Sequence, residues 1–120
     1  MRLIRVAAAA LNQTPLEWDG NLANIRQAIE LARSRGVSLL CLPELSITGY
    51  GCEDAFFSHA VVATAERLLV ELLPTTKAMA VSVGLPLPKA AKLRSAAMSC
   101  GVVLKAFAPE LPPRKPMVCV

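Results

Sequence analysis

The sequence contains no long hydrophobic run and few aromatic residues. No apolar stretch in its 120 residues approaches the length of roughly 18 residues that a transmembrane helix needs, so we expect no membrane partner. Hydrophobic residues make up 54% of the chain, charged residues 18% and aromatic residues 4%, which is typical of a globular domain and excludes a disordered or collagen-like chain. The length is sufficient for one hydrophobic core and too short for two.

Cysteine and histidine are also scarce. Four cysteines are too few for a disulfide-dense scaffold, and no Cys-x-x-Cys pair or Cys/His cluster indicates a metal site. The only histidine, His59, begins a predicted helix, where we expect it to cap or pack rather than to catalyse. The apolar run at 6–11 is shorter than the roughly 7–15 residues of a secretory signal. We therefore predict reduced thiols in a cytoplasmic protein without a metal.

The net charge of +4 is concentrated at one end of the chain. Residues 1–88 carry seven basic and eight acidic side chains, whereas residues 89–120 carry six basic side chains and one acidic one, Glu110. Four of the nine prolines also lie in this last stretch. We predict a partial domain over 1–108 and a basic, proline-rich tail over 109–120. Because no aromatic residues are interleaved with the basic ones, we do not expect a nucleic-acid partner.

Hydrophobic periodicity predicts an α/β fold of the order β-α-β-α-β, followed by one or two weaker strands. Asp19 or Asn21 is expected to cap the first helix. The alternation of strands and helices implies parallel pairing with helices on the sheet. Beyond Pro88 the pattern predicts two strands joined at Gly101 and then coil. The predicted strands are 3–11, 37–42, 78–85, 93–100 and 102–107, and the predicted helices are 21–35 and 59–73.

A segment of about fifteen residues without periodicity follows Pro43, and it begins with Glu44. Loops of this length in a compact domain are usually functional or disordered. Glu44 directly follows a predicted buried strand, and the carboxyl ends of parallel strands are where functional groups gather. Two interpretations are equally open at this point. The carboxylate is a general base, or it caps the next turn or pairs with a basic group.

Residues 41–50, Cys-Leu-Pro-Glu-Leu-Ser-Ile-Thr-Gly-Tyr, resemble the Leu-Pro-Glu and Thr-Gly-Tyr signature of the nitrilase, or carbon–nitrogen hydrolase, superfamily. The flanking segments agree with that family in order and spacing. Residues 50–57 are in addition similar to the glutamine-hydrolysing domain of glutamine-dependent NAD synthetases. The resemblance covers residues 1 to about 86 and implies part of a nitrilase-like α/β sandwich.

The resemblance also implies an activity and roles for two residues. Members of the family release ammonia from glutamine with a cysteine nucleophile, a glutamate general base and a lysine that stabilises the oxyanion. Glu44 matches the general base, and Tyr50 matches a residue that lines the glutamine pocket. For Tyr50, a ring packed beneath the loop is an equally good interpretation.

The chain departs from the family pattern at the lysine and the nucleophile. Glu110 falls where the family has its lysine, Lys105 is out of phase with that position, and the family's nucleophile lies in a later half of the domain. Cys52 lies in the same loop as Glu44, but adjacent carboxylates are expected to raise its pKa, and Cys41 is expected to be a small buried apolar residue.

We therefore expect an N-terminal fragment of a glutaminase domain that is inactive alone. It would have glutamine as the family substrate, no cofactor of its own, and a separate synthetase domain that binds ATP as its partner. Two alternatives remain open. One is a non-catalytic α/β interaction module, self-associating through an exposed apolar sheet or helix face. The other is a fragment of another amidase of the nitrilase branch.

Overall fold

Five strands form one sheet in the order β1-β2-β3-β4-β5. A computed structural model describes residues 3–87, 99–105 and 117–119. The strands are β1 (Val6–Ala8), β2 (Leu39–Cys41), β3 (Ala80–Leu87), β4 (Ser99–Lys105) and β5 (Met117–Cys119). β1, β2 and β3 pair in parallel, whereas β4 and β5 are antiparallel to their neighbours. The predicted α/β class and the parallel pairing of the first three strands are confirmed.

Two helices connect the parallel strands. They are α1 (Trp18–Ser34) and α2 (His59–Leu72), and short 3-10 helices lie at Glu53–Phe57 and Leu73–Thr76. α1 begins three residues before the predicted start, with Glu17 at its N-cap, so the prediction that Asp19 or Asn21 caps it is wrong. Within the described ranges, no helix has the length and hydrophobicity needed to cross a membrane.

Both helices cover the same face of the sheet. Their apolar residues pack with alternate residues of the strands to form one core, which includes Ile25, Ile29, Leu40, Val81 and Leu85. α1 and α2 are also joined at the surface, because Nη2 of Arg26 lies 2.5 Å from Oε1 of Glu71. The face opposite the helices carries the other alternate residues of each strand.

The face opposite the helices is open at β1 and β2. Ala8 pairs with Cys41, and both residues are exposed. The prediction that Cys41 is a small buried residue is therefore wrong. Its neighbours Leu40 and Leu42 are buried in the helix-covered core, and the alternation of side chains in a strand places Cys41 on the other face.

The segment after Pro88 differs from its prediction. β4 is one strand that runs through Gly101, which pairs with Leu85, so the predicted break at Gly101 is wrong. Glycine permits a turn but does not require one. At Gly101 the pairing with β3 keeps the backbone extended. β5 lies in the stretch predicted to be coil. Residues 93–98 and 106–107 of the predicted strands, and most of the predicted tail, lie outside the described residues.

Candidate active site

Glu44 lies at the carboxyl edge of the parallel strands. The backbone of Leu42 extends β2 by donating a hydrogen bond to the carbonyl of Ser82 at 3.0 Å, and Pro43 then ends the pairing. The backbone of Glu44 lies directly against Gly84 of β3, where a β-carbon would overlap the carbonyl group of Glu44. The absence of a side chain at position 84 therefore allows the candidate base to approach the sheet this closely.

The residues that follow Glu44 form a buried turn. The amide of Gly49 donates to the carbonyl of Leu45 at 2.8 Å, and the hydroxyl of Ser46 donates to the carbonyl of Gly84 at 3.3 Å. Gly49 has a φ of +77°, and a β-carbon there would lie 2.8 Å from the carbonyl carbon and oxygen of Thr14. Both the backbone conformation and the available space thus require glycine at this position.

Asn21 connects this turn to the segment after β1. Its amide nitrogen Nδ2 donates to the carbonyl of Thr14 at 2.8 Å and to that of Ile47 at 3.2 Å. Its Oδ1 accepts from the amide of Thr14 at 2.9 Å. Only 1% of the residue is exposed, so these bonds are shielded from water. Asn21 therefore holds together two loops that the chain places far apart.

Gln13 makes a second connection between the same loops. Its Nε2 donates to the carbonyl of Ser46 at 2.5 Å and to that of Asn21 at 3.0 Å. Its Oε1 in turn accepts from Nδ2 of Asn24 at 2.8 Å. The loop that begins at Glu44 is thus held by β3 on one side and by the polar residues of 13–24 on the other.

Glu44 and Tyr50 flank the buried turn, and both are exposed. The exposed fraction of Tyr50 is 51%, so about half of the residue is covered, and its role in lining a pocket stays a prediction. Ser46, Ile47 and Thr48 between them are fully or almost fully buried. The arrangement presents one carboxylate and one phenol at the surface from a segment whose backbone is fixed.

Cys52, in the same loop as Glu44, does not provide an activated thiol. Burial raises the pKa of the Cys52 thiol, and this outweighs the lowering effect of hydrogen bonds from the Leu16 backbone and the Thr48 side chain. Its Sγ donates to the carbonyls of Thr48 and Gly49, each at 3.4 Å. The sequence-based expectation of a raised pKa for Cys52 is correct in direction, but desolvation is the largest cause. His59 is the first residue of α2 and is exposed.

The backbone of Lys105 lies at the end of β4 that is farther from the carboxyl end of β3. β4 runs antiparallel to β3, with Val102 opposite Gly84 and Lys105 opposite Val81. Three residues of strand separate these two levels, which corresponds to about 10 Å. Glu110 lies outside the described residues. No group of three or more His, Cys, Asp or Glu residues that could hold a metal ion occurs in the part of the chain that the structure describes.

Sequence reasoning missed the residues that position the loop. It treated Asn21 as a helix cap, expected Gly84 only to help end the third strand, and assigned no positioning role to Gln13, whereas β3 continues through Gly84 to Leu87. A signal for Asn21 was present, because it lies four residues before Ile25 on the buried stripe of α1, where an amide needs hydrogen-bond partners. The position of Gly84 beneath Glu44 depends on the pairing of β2 with β3 and has no local signal.

Comparison with known protein families shows which family the chain belongs to. The carbon–nitrogen hydrolase family matches residues 5–106. The chain belongs to the carbon–nitrogen hydrolase family. The matched region extends beyond residue 86, where the motif resemblance ended, and it includes β4. It contains the turn after Glu44 and all the residues that hold it.

The relatives in this family include long synthetases. The chain is 40% identical over 88 residues to the glutamine-dependent NAD(+) synthetase of Oryza sativa subsp. indica, which covers 72% of this chain and 12% of that protein. It is 37% identical over 102 residues to the one from Arabidopsis thaliana, covering 83% of this chain and 14% of that protein. The chain thus spans about an eighth of the length of these relatives and resembles the N-terminal part of their glutaminase domain.

Solved structures agree with this assignment. A glutamine-dependent NAD(+) synthetase from Cytophaga hutchinsonii is 43% identical, with a TM-score of 0.78, and the match covers 86% of this chain and 17% of that one. An amidase from Nesterenkonia sp. has a TM-score of 0.70 over 86% of this chain and 38% of its own. At 22% identity the amidase supports the shared fold alone.

Proposed function

We propose that this carbon–nitrogen hydrolase chain forms the N-terminal part of a glutamine-hydrolysing domain that supplies ammonia to an NAD synthetase, with Glu44 as its general base. The observation that carries the proposal is the position of Glu44. Its backbone is fixed against Gly84 at the carboxyl edge of the sheet, and its side chain is exposed. The likeness to glutamine-dependent NAD(+) synthetases supports glutamine as the substrate.

Hydrolysis of an amide by a thiol needs a base at two steps. The base accepts the proton of the thiol as the sulfur attacks the amide carbon, and it passes that proton to the amide nitrogen, which leaves as ammonia. The base, ionised again, then accepts a proton from the water that attacks the thioester and returns it to the sulfur as the C–S bond breaks. Glu44 would perform both steps. Tyr50, exposed at the other end of the same turn, would line the glutamine pocket.

The remaining groups would come from elsewhere in the domain. Cys52 is buried and its raised pKa keeps it protonated, while Cys41 lies on the open face of the sheet. Lys105 lies three residues along the ladder from the level of Gly84. We therefore expect the chain alone to release no ammonia from glutamine. We also propose that the protein is cytoplasmic and binds no cofactor itself, and that the synthetase domain binds ATP.

A chimeric synthetase tests this proposal. In the Cytophaga hutchinsonii synthetase, the matched N-terminal segment is replaced by residues 5–87 of this chain, so that the lysine and the nucleophile are those of the relative. We expect the chimera to hydrolyse glutamine. A folded chimera that binds glutamine but does not hydrolyse it would contradict the assignment of the base.

A longer replacement tests the effect of Glu110, which stands where the family has its catalytic lysine. Replacing the relative's sequence up to residue 110 introduces Glu110 at the position where the family has its lysine. We expect this second chimera to be inactive because a carboxylate cannot stabilise an oxyanion, and we expect Glu110→Lys to restore glutamine hydrolysis. Activity of the long chimera without that substitution would show that the lysine is supplied by another position.

A further inference from the structure

Ser46 is held from both sides of β2. Its hydroxyl donates to the carbonyl of Gly84 in β3 at 3.3 Å, and its own carbonyl accepts from Nε2 of Gln13, in the segment after β1, at 2.5 Å. β1 and β3 are the two neighbours of β2 in the sheet. One buried serine, two residues after Glu44, therefore ties the loop after β2 to both of its neighbours.

The side-chain amide of Gln13 has a defined orientation. Its Nε2 carries two N–H groups, and these donate to the carbonyls of Ser46 and Asn21. Its Oε1 accepts from Nδ2 of Asn24 at 2.8 Å. Exchanging the nitrogen and the oxygen would set an oxygen against two carbonyl oxygens and an N–H group against a donor. Asn24 thus keeps the N–H end of Gln13 directed at Ser46.

Glu44 lies between two restrained residues. Before it, the ring of Pro43 fixes the φ of that residue at about −65°. After it, only Leu45 separates Glu44 from Ser46, which is bonded on both sides. The bond from Gln13 is therefore the link to the segment after β1 that acts nearest to the candidate base.

The end of the turn that carries Tyr50 has an attachment of its own. The carbonyl of Thr48 accepts from the amide of Leu16 at 2.8 Å. Leu16 has a φ of +57°, a conformation that a leucine rarely adopts. Such strain persists only where the surrounding structure imposes it, and it is common near functional sites. Loss of the Gln13 bond therefore leaves the Tyr50 end attached, so the two ends of the turn are held separately.

We propose that Gln13 is a positioning residue for Glu44, and that its bond to Ser46 holds the candidate base in the orientation that the reaction needs. The inference rests on the proposed function, in which Glu44 accepts the proton of the thiol. Proton transfer requires the two heavy atoms to approach within about 2.6–3.2 Å, and a misplacement of about 1 Å can cost about 10²-fold in rate. Because the base acts in the chemical steps, the effect of Gln13 falls on kcat.

Kinetics of the chimera that carries residues 5–87 test the proposal. Gln13→Glu keeps the length of the side chain and an oxygen that accepts from Asn24, but it sets an oxygen against Ser46 in place of the donor. Gln13→Met removes the donor without adding a charge. We expect each variant to lower kcat for glutamine about tenfold or more and to change KM by less than about twofold. Gln27→Met, on the exposed side of α1, is the matched control and should change neither constant.

Amide hydrogen exchange of the full chain measures the positioning without any activity. The amide of Gly49 donates to the carbonyl of Leu45 within the turn, whereas Ile25 and Ile29 of α1 belong to the core. We expect both Gln13 variants to speed exchange at Gly49 about tenfold or more while the two core amides keep their rates. Equal acceleration of the core amides would show that Gln13 serves general stability, and the proposal would be wrong.

The outcomes separate this proposal from the proposed function. An inactive parent chimera would contradict the proposed function. Unchanged exchange at Gly49 in both Gln13 variants would overturn the present proposal whether or not the chimera is active. In an active chimera, an unchanged kcat in both variants would also overturn it. So would a rise in KM without a fall in kcat, because Gln13 would then serve the glutamine pocket and not the base.

Discussion

Gly84 of β3 lies so close beneath Glu44 that a β-carbon at position 84 would overlap the carbonyl group of Glu44. The position of the candidate base is therefore set by its main chain and by the neighbouring strand. Ser46, two residues later, donates a hydrogen bond to the carbonyl of the same glycine. Gly84 of β3 thus contacts both Glu44 and Ser46.

Gly84→Ala is expected to destabilise the chain and to displace Glu44. The added methyl group cannot be accommodated without moving the main chain of the loop or of β3, and overpacking of this kind costs about 1–3 kcal/mol. Urea denaturation measures the loss. Gly20→Ala is the matched control, since its β-carbon meets only the exposed carboxylate of Glu17 and alanine favours the helix by up to about 1 kcal/mol. Equal stability of the two variants would contradict this account.

Asn21→Ala is expected to cost about 2–3 kcal/mol of unfolding free energy. It leaves two part-buried backbone groups of Thr14 and the backbone carbonyl of Ile47 without their amide partner, and a buried polar group that loses its partner costs about 1–3 kcal/mol. Asn24→Ala, on the same helix, removes bonds from a half-buried side chain and should cost about 1 kcal/mol or less. If the two alanine variants unfold at the same urea concentration, Asn21 does not hold the loop.

The Cys52 thiol is expected to make stability depend on pH. Burial raises its folded pKa, so the folded chain holds this proton more tightly than the unfolded chain does. Its contribution is complete below the unfolded pKa, about 8.5, and is lost as the pH rises from there through the higher folded pKa. The free energy of unfolding should therefore fall with pH in that range, and fall less steeply in Cys52→Ala.

Cys41→Ala provides the control for this pH dependence. Cys41 is exposed, so its replacement should leave the slope of stability against pH unchanged. All other side chains are common to the parent chain and to the variant compared with it, so their contributions cancel in the comparison. Identical slopes in the parent chain and in Cys52→Ala would show that the Cys52 thiol is not desolvated by folding.

The sequence was sufficient for those features that depend on local pattern. The apolar stripe of α1, the short run ended by Pro43 and the aperiodic segment that begins at Glu44 each have a local signature. The order of strands and helices implies the parallel pairing that the structure confirms. The position of Glu44 after a predicted strand left two interpretations open, a general base or a capping or paired carboxylate, and the family resemblance favoured the first. The role of Tyr50 came from the resemblance alone.

Features that depend on contacts between distant segments were not predictable. Asn21 does not cap α1, because its side chain bonds Thr14 and Ile47, and these contacts exist only after the loops meet. Cys41 is exposed because nothing among the described residues covers its face of the sheet, although its local sequence is apolar. Gly101 stays extended because it pairs with Leu85. Each error came from reading one segment without its neighbour.

Glutamine hydrolysis by the chimera that carries residues 5–87 tests the central claim most directly. Glu44→Gln keeps the size and shape of the side chain but removes the base. Glu30→Gln, on the exposed side of α1, is the matched control. We predict that Glu44→Gln lowers kcat by about 10²–10⁴-fold, whereas Glu30→Gln leaves it unchanged. Full activity of the Glu44→Gln chimera would contradict the account, because Glu44 would then not be the general base.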